Sequence, residues 1–222
     1  MKVKYLYNSG FLIELDDYIF VIDSMNKLKI ESKDKKVICF ATHSHMDHFN
    51  DFILKEGLCV LSDDIKVREK DNIIFIKPYD EIETNGIKIK TFGSTDLGVS
   101  FLIKAEGKIF FHSGDLNWWH WENDDKKTQE KEAKDYQDEI MKLKEYLQNE
   151  FIDYAFIPVD RRLNENSTLA IDFFLKEIKT KDVFPMHFRE DLRYIEDLKE
   201  IEEKYKNVNI HEITKENQEF IF

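Results

Sequence analysis

Cysteine is almost missing from this chain of 222 residues: Cys39 and Cys59 are the two present. Two isolated thiols build no disulfide framework, which favours a reducing, cytoplasmic setting. Cys39 lies in an apolar stretch and reads as a small core residue. Proline is scarce too, with 3. No Gly/Ser-rich boundary, low-complexity linker or internal repeat divides the sequence, so one domain over residues 1–222 is expected. No apolar run approaches the length of a membrane span. The opening MKVKYLYNSGFLIEL has no signal-peptide apolar region and reads as structure. Positive charge is in deficit. The formal net charge is −12 and the pI is near 5.1. An acidic surface repels phosphate backbones, so nucleic acid is not the expected partner.

What is present fills a core. Hydrophobic residues make up 42% and aromatics 14%, with 18 Phe. Val3–Tyr7, Phe11–Leu15 and Tyr18–Asp23 read as strands, parted by the turn signals Asn8-Ser9-Gly10 and Asp16-Asp17. A charged loop follows over 27–36, then the buried strand Val37–Ala41. Phe49–Lys55 should start a short helix. Leu58–Ser62, Ile73–Ile76, Glu81–Thr84, Ile87–Phe92, Val99–Lys104 and Lys108–His112 read as further strands, with Asn85-Gly86 a hairpin turn. Ala133, Tyr136, Ile140, Leu143 and Leu147 recur at helical spacing in a helix that ends near Asn149. That stripe docks on a sheet, or serves as the interface of a homo-oligomer. Ile152–Val159 and Asp182–Met186 are strands, separated by a helix capped at Ser167 or Thr168 that runs through Lys179. Glu190–Lys206 is a last amphipathic helix, and Val208–Ile213 and Phe220–Phe222 are terminal strands. Strands come first and helices alternate with strands later, which predicts a layered α/β architecture.

The chemistry concentrates in one stretch. Of the seven histidines in the chain, three fall in THSHMDH: His43, His45 and His48, with Asp47 among them. Imidazole nitrogen and carboxylate oxygen are ligands for zinc, iron or manganese. In extended backbone His43 and His45 point to one side and can share a metal. A turn would then let Asp47 and His48 swing over a second position. The bland alternative, a polar loop that happens to hold three histidines, does not account for such clustering.

Other candidates stand alone in sequence. Asp23 closes the third strand, either as a turn residue or as a carboxylate that orients a metal-bound histidine. Asp115, in HSGDLNWWHW, follows a strand and a glycine. Its metal role rests on the His-rich turn elsewhere. His112, His120 and His211 read as packed or hydrogen-bonded histidines, with His120 also a candidate substrate contact. Trp118 and Trp119, with Trp121, either wall a pocket or pack on the core. Arg161, Arg162 and Arg189 either meet an anionic substrate, since Arg matches carboxylate and phosphate geometry, or are solvated surface charges.

THSHMDH resembles the HxHxDH signature of the metallo-β-lactamase superfamily. Related signs follow in order: Asp23 at a strand end, GSTDLGVSFLI, FFHSGDL with Asp115, and FPMHF with His187. The resemblance implies a four-layer αβ/βα sandwich with a metal site along one edge between two sheets. Within the superfamily the chain looks most like the small hydrolases related to the ascorbate-phosphate lactonases. Carried over, His43 and His45 would bind a first metal, Asp47, His48 and His187 a second, and Asp115 would bridge them. Where the family has a third histidine for the first metal, this chain places Ser94, a poor ligand; water, Asp96 or His112 would complete that position. The resemblance implies one or two divalent transition metals, zinc first, with manganese and iron as alternatives. It also implies hydrolysis by a metal-bound hydroxide of an ester, lactone, thioester or phosphoester of a small substrate, with Asp47 and Asp115 catalytic. The competing readings are a nucleic-acid-processing hydrolase of the same superfamily and a non-catalytic metal-binding or sensing protein.

Overall fold

The computed structural model of the protein describes residues 1–31 and 34–222. Residues 32 and 33 of the charged loop expected over 27–36 lie outside the described residues. Two seven-stranded sheets face each other. The first contains β1 (Lys2–Tyr7), β2 (Gly10–Glu14), β3 (Tyr18–Ile22), β4 (Lys36–Ala41), β5 (Leu58–Ser62) and β6 (Ile73–Ile76), in that order. The second contains β7 (Glu81–Thr84), β8 (Ile87–Phe92), β9 (Ser100–Ala105), β10 (Lys108–His112), β11 (Ile152–Pro158), β12 (Thr180–Met186) and β13 (Asn209–Ile210). The last strand, β14 (Glu219–Ile221), returns to pair antiparallel with β1.

Phenylalanine abundance explains how the sheets hold together. Residues two apart on a strand share a face, and the inward faces are aromatic. Phe11 meets Phe156 at 4.5 Å between ring centroids, Phe40 meets Phe101 at 5.3 Å, and Phe20 meets Phe110 at 6.1 Å. All six are fully buried. Burial of each such ring contributes about 1.5–3 kcal/mol.

The helices are α1 (Lys126–Leu147), α2 (Leu169–Glu177) and α3 (Tyr194–Lys204). Tyr136, Ile140, Leu143 and Leu147 of α1 are buried as the spacing predicts, and α1 packs on β8 and α2 rather than lying free. The outer face of the first sheet carries Ile19, Val21, Cys39 and Leu61, covered by Ile53 and Leu54 of a short 3-10 helix, Asp51–Lys55. The result is an αβ/βα sandwich whose outer helical layer is thin on one side. Helix α3 starts four residues later than the sequence suggests. Arg189 has φ +56, and the Asp191 carboxylate accepts from the backbone and side chain of Arg193, which holds a turn there. No helix among the described residues is long and apolar enough to cross a membrane.

Each sheet is antiparallel on one side and parallel on the other, the change falling at β3/β4 and at β10/β11. Parallel strands end together. The carboxyl ends of β3, β4, β10, β11 and β12 therefore deliver Asp23, the His43 turn, Asp115, Asp160 and His187 to one edge. Such an edge is where open α/β sheets bind ligands.

Candidate metal centre

The His-rich turn is closed by its own backbone: the amides of His48 and Phe49 both donate to the carbonyl of His45, at 2.9 Å each. This folds His48 back under His43, with ring centroids 4.0 Å apart. The turn holding Asp115 seats against it. Gly114 has φ +55, and a Cβ there would lie 2.8 Å from the Thr42 side chain, so a side chain at this position would push Asp115 away from the histidines.

Two groups of ligand atoms result, each within 4.8 Å: His43, His45, Asp96 and Asp115, and Asp47, His48 and His187. Asp115 reaches both. Its Oδ2 lies 3.7 Å from His43 Nε2, while its Oδ1 lies 3.1 Å from His48 Nε2 and 3.3 Å from His187 Nε2. Asp47 Oδ2 is 3.9 Å from both His48 Nε2 and His187 Nε2.

The far nitrogen of each inner histidine is held. His48 Nδ1 donates to Asp23 Oδ2 at 2.7 Å, and Asp23 also accepts from the Thr42 amide and hydroxyl, at 2.8 and 2.7 Å. His187 Nδ1 donates to Asp160 Oδ2 at 3.1 Å, and Arg162 forks onto the same carboxylate. His43 Nδ1 lies 3.1 Å from Thr42 Oγ1. Such partners fix the ring and aim its other nitrogen.

Charge follows from this packing. Burial works against the His48 imidazolium, but Asp23 and Asp115 push its pKa up to about 10. Burial would raise the Asp115 carboxyl; His187, His48 and His43 outweigh it and hold it well below the usual carboxylate range. Burial and the neighbouring His48 lower His43.

The donor set fits a cation. His48 Nε2 and Asp115 Oδ1 are buried 3.1 Å apart, yet neither has a hydrogen-bond partner among the described residues. His43 Nε2 and His45 Nδ1 face each other at 3.1 Å, close to the roughly 3.3 Å that separates two nitrogens on a tetrahedral zinc. A divalent ion supplies the positive charge that Asp115 requires and lets the imidazoles stay neutral.

Ser94 shapes the loop that carries Asp96. Its Oγ accepts from the Asp96 amide at 3.2 Å, turning the loop so that Asp96 Oδ2 stands 3.4 Å from His45 Nδ1. The loop is pinned at both sides: the Gly93 amide donates to Glu139 at 2.9 Å, and the Thr95 hydroxyl donates to the Asn117 carbonyl at 2.6 Å. Asp96, and not His112, is therefore the residue beside His43 and His45. His112 Nε2 donates to the Ser9 carbonyl at 2.8 Å and Nδ1 accepts from the Gly114 amide at 3.2 Å, which commits both nitrogens. Asp96→Ala is expected to weaken metal binding at the first position roughly 10- to 100-fold, with the second position little changed; calorimetric titration with zinc checks this.

Above the metal-ligand cluster lies a cavity of about 390 Å³, bordered by Trp119, Trp121, Thr95, Arg162, Arg189 and Glu132. Three residues proposed for substrate lie elsewhere. Arg161 donates to Asp197 on α3 at 2.6 Å. Trp118 packs on Tyr136 and Phe173, at 6.1 and 6.0 Å between centroids. His120 does not line the cavity, and its carbonyl accepts from Asn166. Sequence reading missed Asp160 and Asn8. Asn8, at φ +51 in the β1–β2 turn, donates to Asp47 at 3.2 Å and accepts from the His187 amide at 3.1 Å.

Solved structures match over the whole chain. Igni18, a metallo hydrolase from the hyperthermophilic archaeon Ignicoccus hospitalis, has a TM-score of 0.63 at 17% identity, with 100% of both chains covered. The metallo-β-lactamase fold protein YhfI from Bacillus subtilis gives 0.61 at 12% identity, covering 99% of this chain and 98% of its own. CmlA, a diiron β-hydroxylase from Streptomyces venezuelae, gives 0.63 at 9% identity; all of this chain is covered, against 54% of CmlA. No protein-family model matches the sequence, and no curated protein does. The chain has the metallo-β-lactamase fold.

Proposed function

We propose that the protein is a metal-dependent hydrolase of a small ester, lactone, thioester or phosphoester. The carrying observation is Asp115, whose two oxygens face two separate groups of histidines. His43, His45 and Asp96 would hold one ion, Asp47, His48 and His187 another, and Asp115 both. Zinc suits these nitrogen and oxygen ligands, as do manganese and iron. Such ions supply Lewis acidity toward a carbonyl or phosphoryl oxygen and lower the pKa of water.

The chain's own residues do the rest. Asp23, Thr42 and Asp160 keep the imidazoles aimed. Asp47 is partly open to the cavity whereas Asp115 is enclosed, so Asp47 is the better placed to carry a proton to the leaving group. Trp119 and Trp121 form an aromatic side of the cavity. Free thiols at Cys39 and Cys59, paired in register on β4 and β5, suit a reducing, cytoplasmic setting.

The test is turnover of lactones, thioesters and phosphodiesters by protein loaded with zinc, manganese or iron, compared with chelated protein. We expect metal-dependent turnover on at least one class. Metal binding with none would instead support a sensing role. The likeness to CmlA favours one further reading, oxidation at a di-iron site; oxygen uptake by the iron-loaded protein without hydrolysis would support it.

A further inference from the structure

The cavity holds a carboxylate that the metal-binding arrangement does not use. Glu132 projects from the second turn of α1 and lines the cavity. Its Oε2 is enclosed, with no hydrogen-bond partner among the described residues. The same holds for Trp119 Nε1. A carboxylate oxygen shut away from water without a donor is unfavourable, and a ligand that brings the donor recovers the loss.

The other charges in the cavity are spoken for. Asp47, Asp96 and Asp115 stand among the histidines. Arg162 is committed to Asp160 through its fork, and Arg189 Nη2 lies 3.6 Å from Asp47 Oδ2. Glu132 therefore faces the cavity as an acid with no cation of its own. Trp119 and Trp121 stack with centroids 6.0 Å apart and planes 2° apart, making an aromatic wall in the same cavity, a surface that attracts cations: the Arg162 guanidinium already lies 5.5 Å over the Trp121 ring. A net charge of −12 draws cations toward the molecule and repels anions.

We propose that Glu132 is the specificity-determining residue of this site and selects substrates that carry a protonated amine, held between its carboxylate and the Trp119–Trp121 wall. This rests on the hydrolase reading above and reverses the expectation of an anionic substrate raised by the arginines. Burial and the nearby Asp124 raise the Glu132 carboxyl above its ordinary value, and an ammonium beside it would act in the opposite direction.

The experiment compares two esters that differ by the amine, L-alanine p-nitrophenyl ester and p-nitrophenyl propionate, with zinc-loaded wild type and Glu132→Gln. The ratio of their kcat/KM values cancels intrinsic ester reactivity when compared between proteins. That ratio should fall roughly tenfold or more in Glu132→Gln, the scale of one charge-assisted hydrogen bond. Quenching of tryptophan fluorescence by L-alaninamide and by propionamide reads binding without turnover. Wild type should bind the cation roughly tenfold more tightly, and Glu132→Gln should not. An unchanged ester ratio, or equal binding of both amides by wild type, overturns the assignment. Absence of turnover on esters, lactones, thioesters and phosphodiesters alike, with the amide preference intact, rejects the hydrolase reading and leaves Glu132 as the cation selector. Turnover with no charge preference does the reverse.

Discussion

Asp115→Ala is expected to lower kcat/KM roughly a thousandfold or more on any substrate the wild type hydrolyses. The carboxylate lies against both groups of histidines, so under the proposed function its loss would remove a ligand from each metal position at once. Two-metal arrangements contribute several kcal/mol to a transition state, and about 4 kcal/mol is a thousandfold in rate. Metal content should fall from two ions per chain to one or none. The fold should persist, because the turn carrying Asp115 is held without its carboxylate: the Leu116 amide donates to the Ser113 carbonyl, and the Gly114 amide to His112 Nδ1. Asp115→Asn keeps the shape while removing the charge and should lose nearly as much. Elemental analysis beside steady-state kinetics checks both. Wild-type activity at wild-type metal content would remove Asp115 from the bridging role.

Asp23→Asn carries the second large effect, through a residue set back behind the metal ligands. Asp23 is fully buried and accepts from Thr42 twice and from His48 Nδ1 once. Its φ of +47 is a conformation that asparagine also tolerates, so the amide tests charge without backbone strain. Breaking a buried charge pair costs about 3–5 kcal/mol. For a chain of this size that is a fall in Tm of roughly 10 °C. His48 would also lose the partner that aims Nε2, and metal affinity should drop about 10- to 100-fold. Calorimetric melting of the chelated protein isolates the first effect, and zinc titration the second. Equal Tm and equal affinity would show that Asp23 only closes a turn.

The strands were legible because their apolar alternation and turn residues are local. The helix stripe of α1 was legible for the same reason. The start of α3 was not, because it depends on the Asp191–Arg193 contact and the positive φ at Arg189. The His-rich turn could be read as a metal site from clustering alone. Asp96 could not be assigned, since aligning the loop points to Ser94, and only the Ser94–Asp96 turn bond shows which side chain swings toward His45. Asp160 ends a buried strand, a signal present in sequence. Its pairing with His187 depends on β11 and β12 lying side by side in parallel register. Glu132 sits on the helix that the apolar pattern explains, so nothing in that pattern marks it as facing the cavity.

The most direct test is a crystal structure of zinc-loaded protein with anomalous data collected on both sides of the zinc edge. Two zinc peaks are predicted, one contacting His43, His45 and Asp96, the other contacting Asp47, His48 and His187, with Asp115 contacting both. Zinc bound away from these residues, or an Asp115 carboxylate touching no metal, would contradict the account.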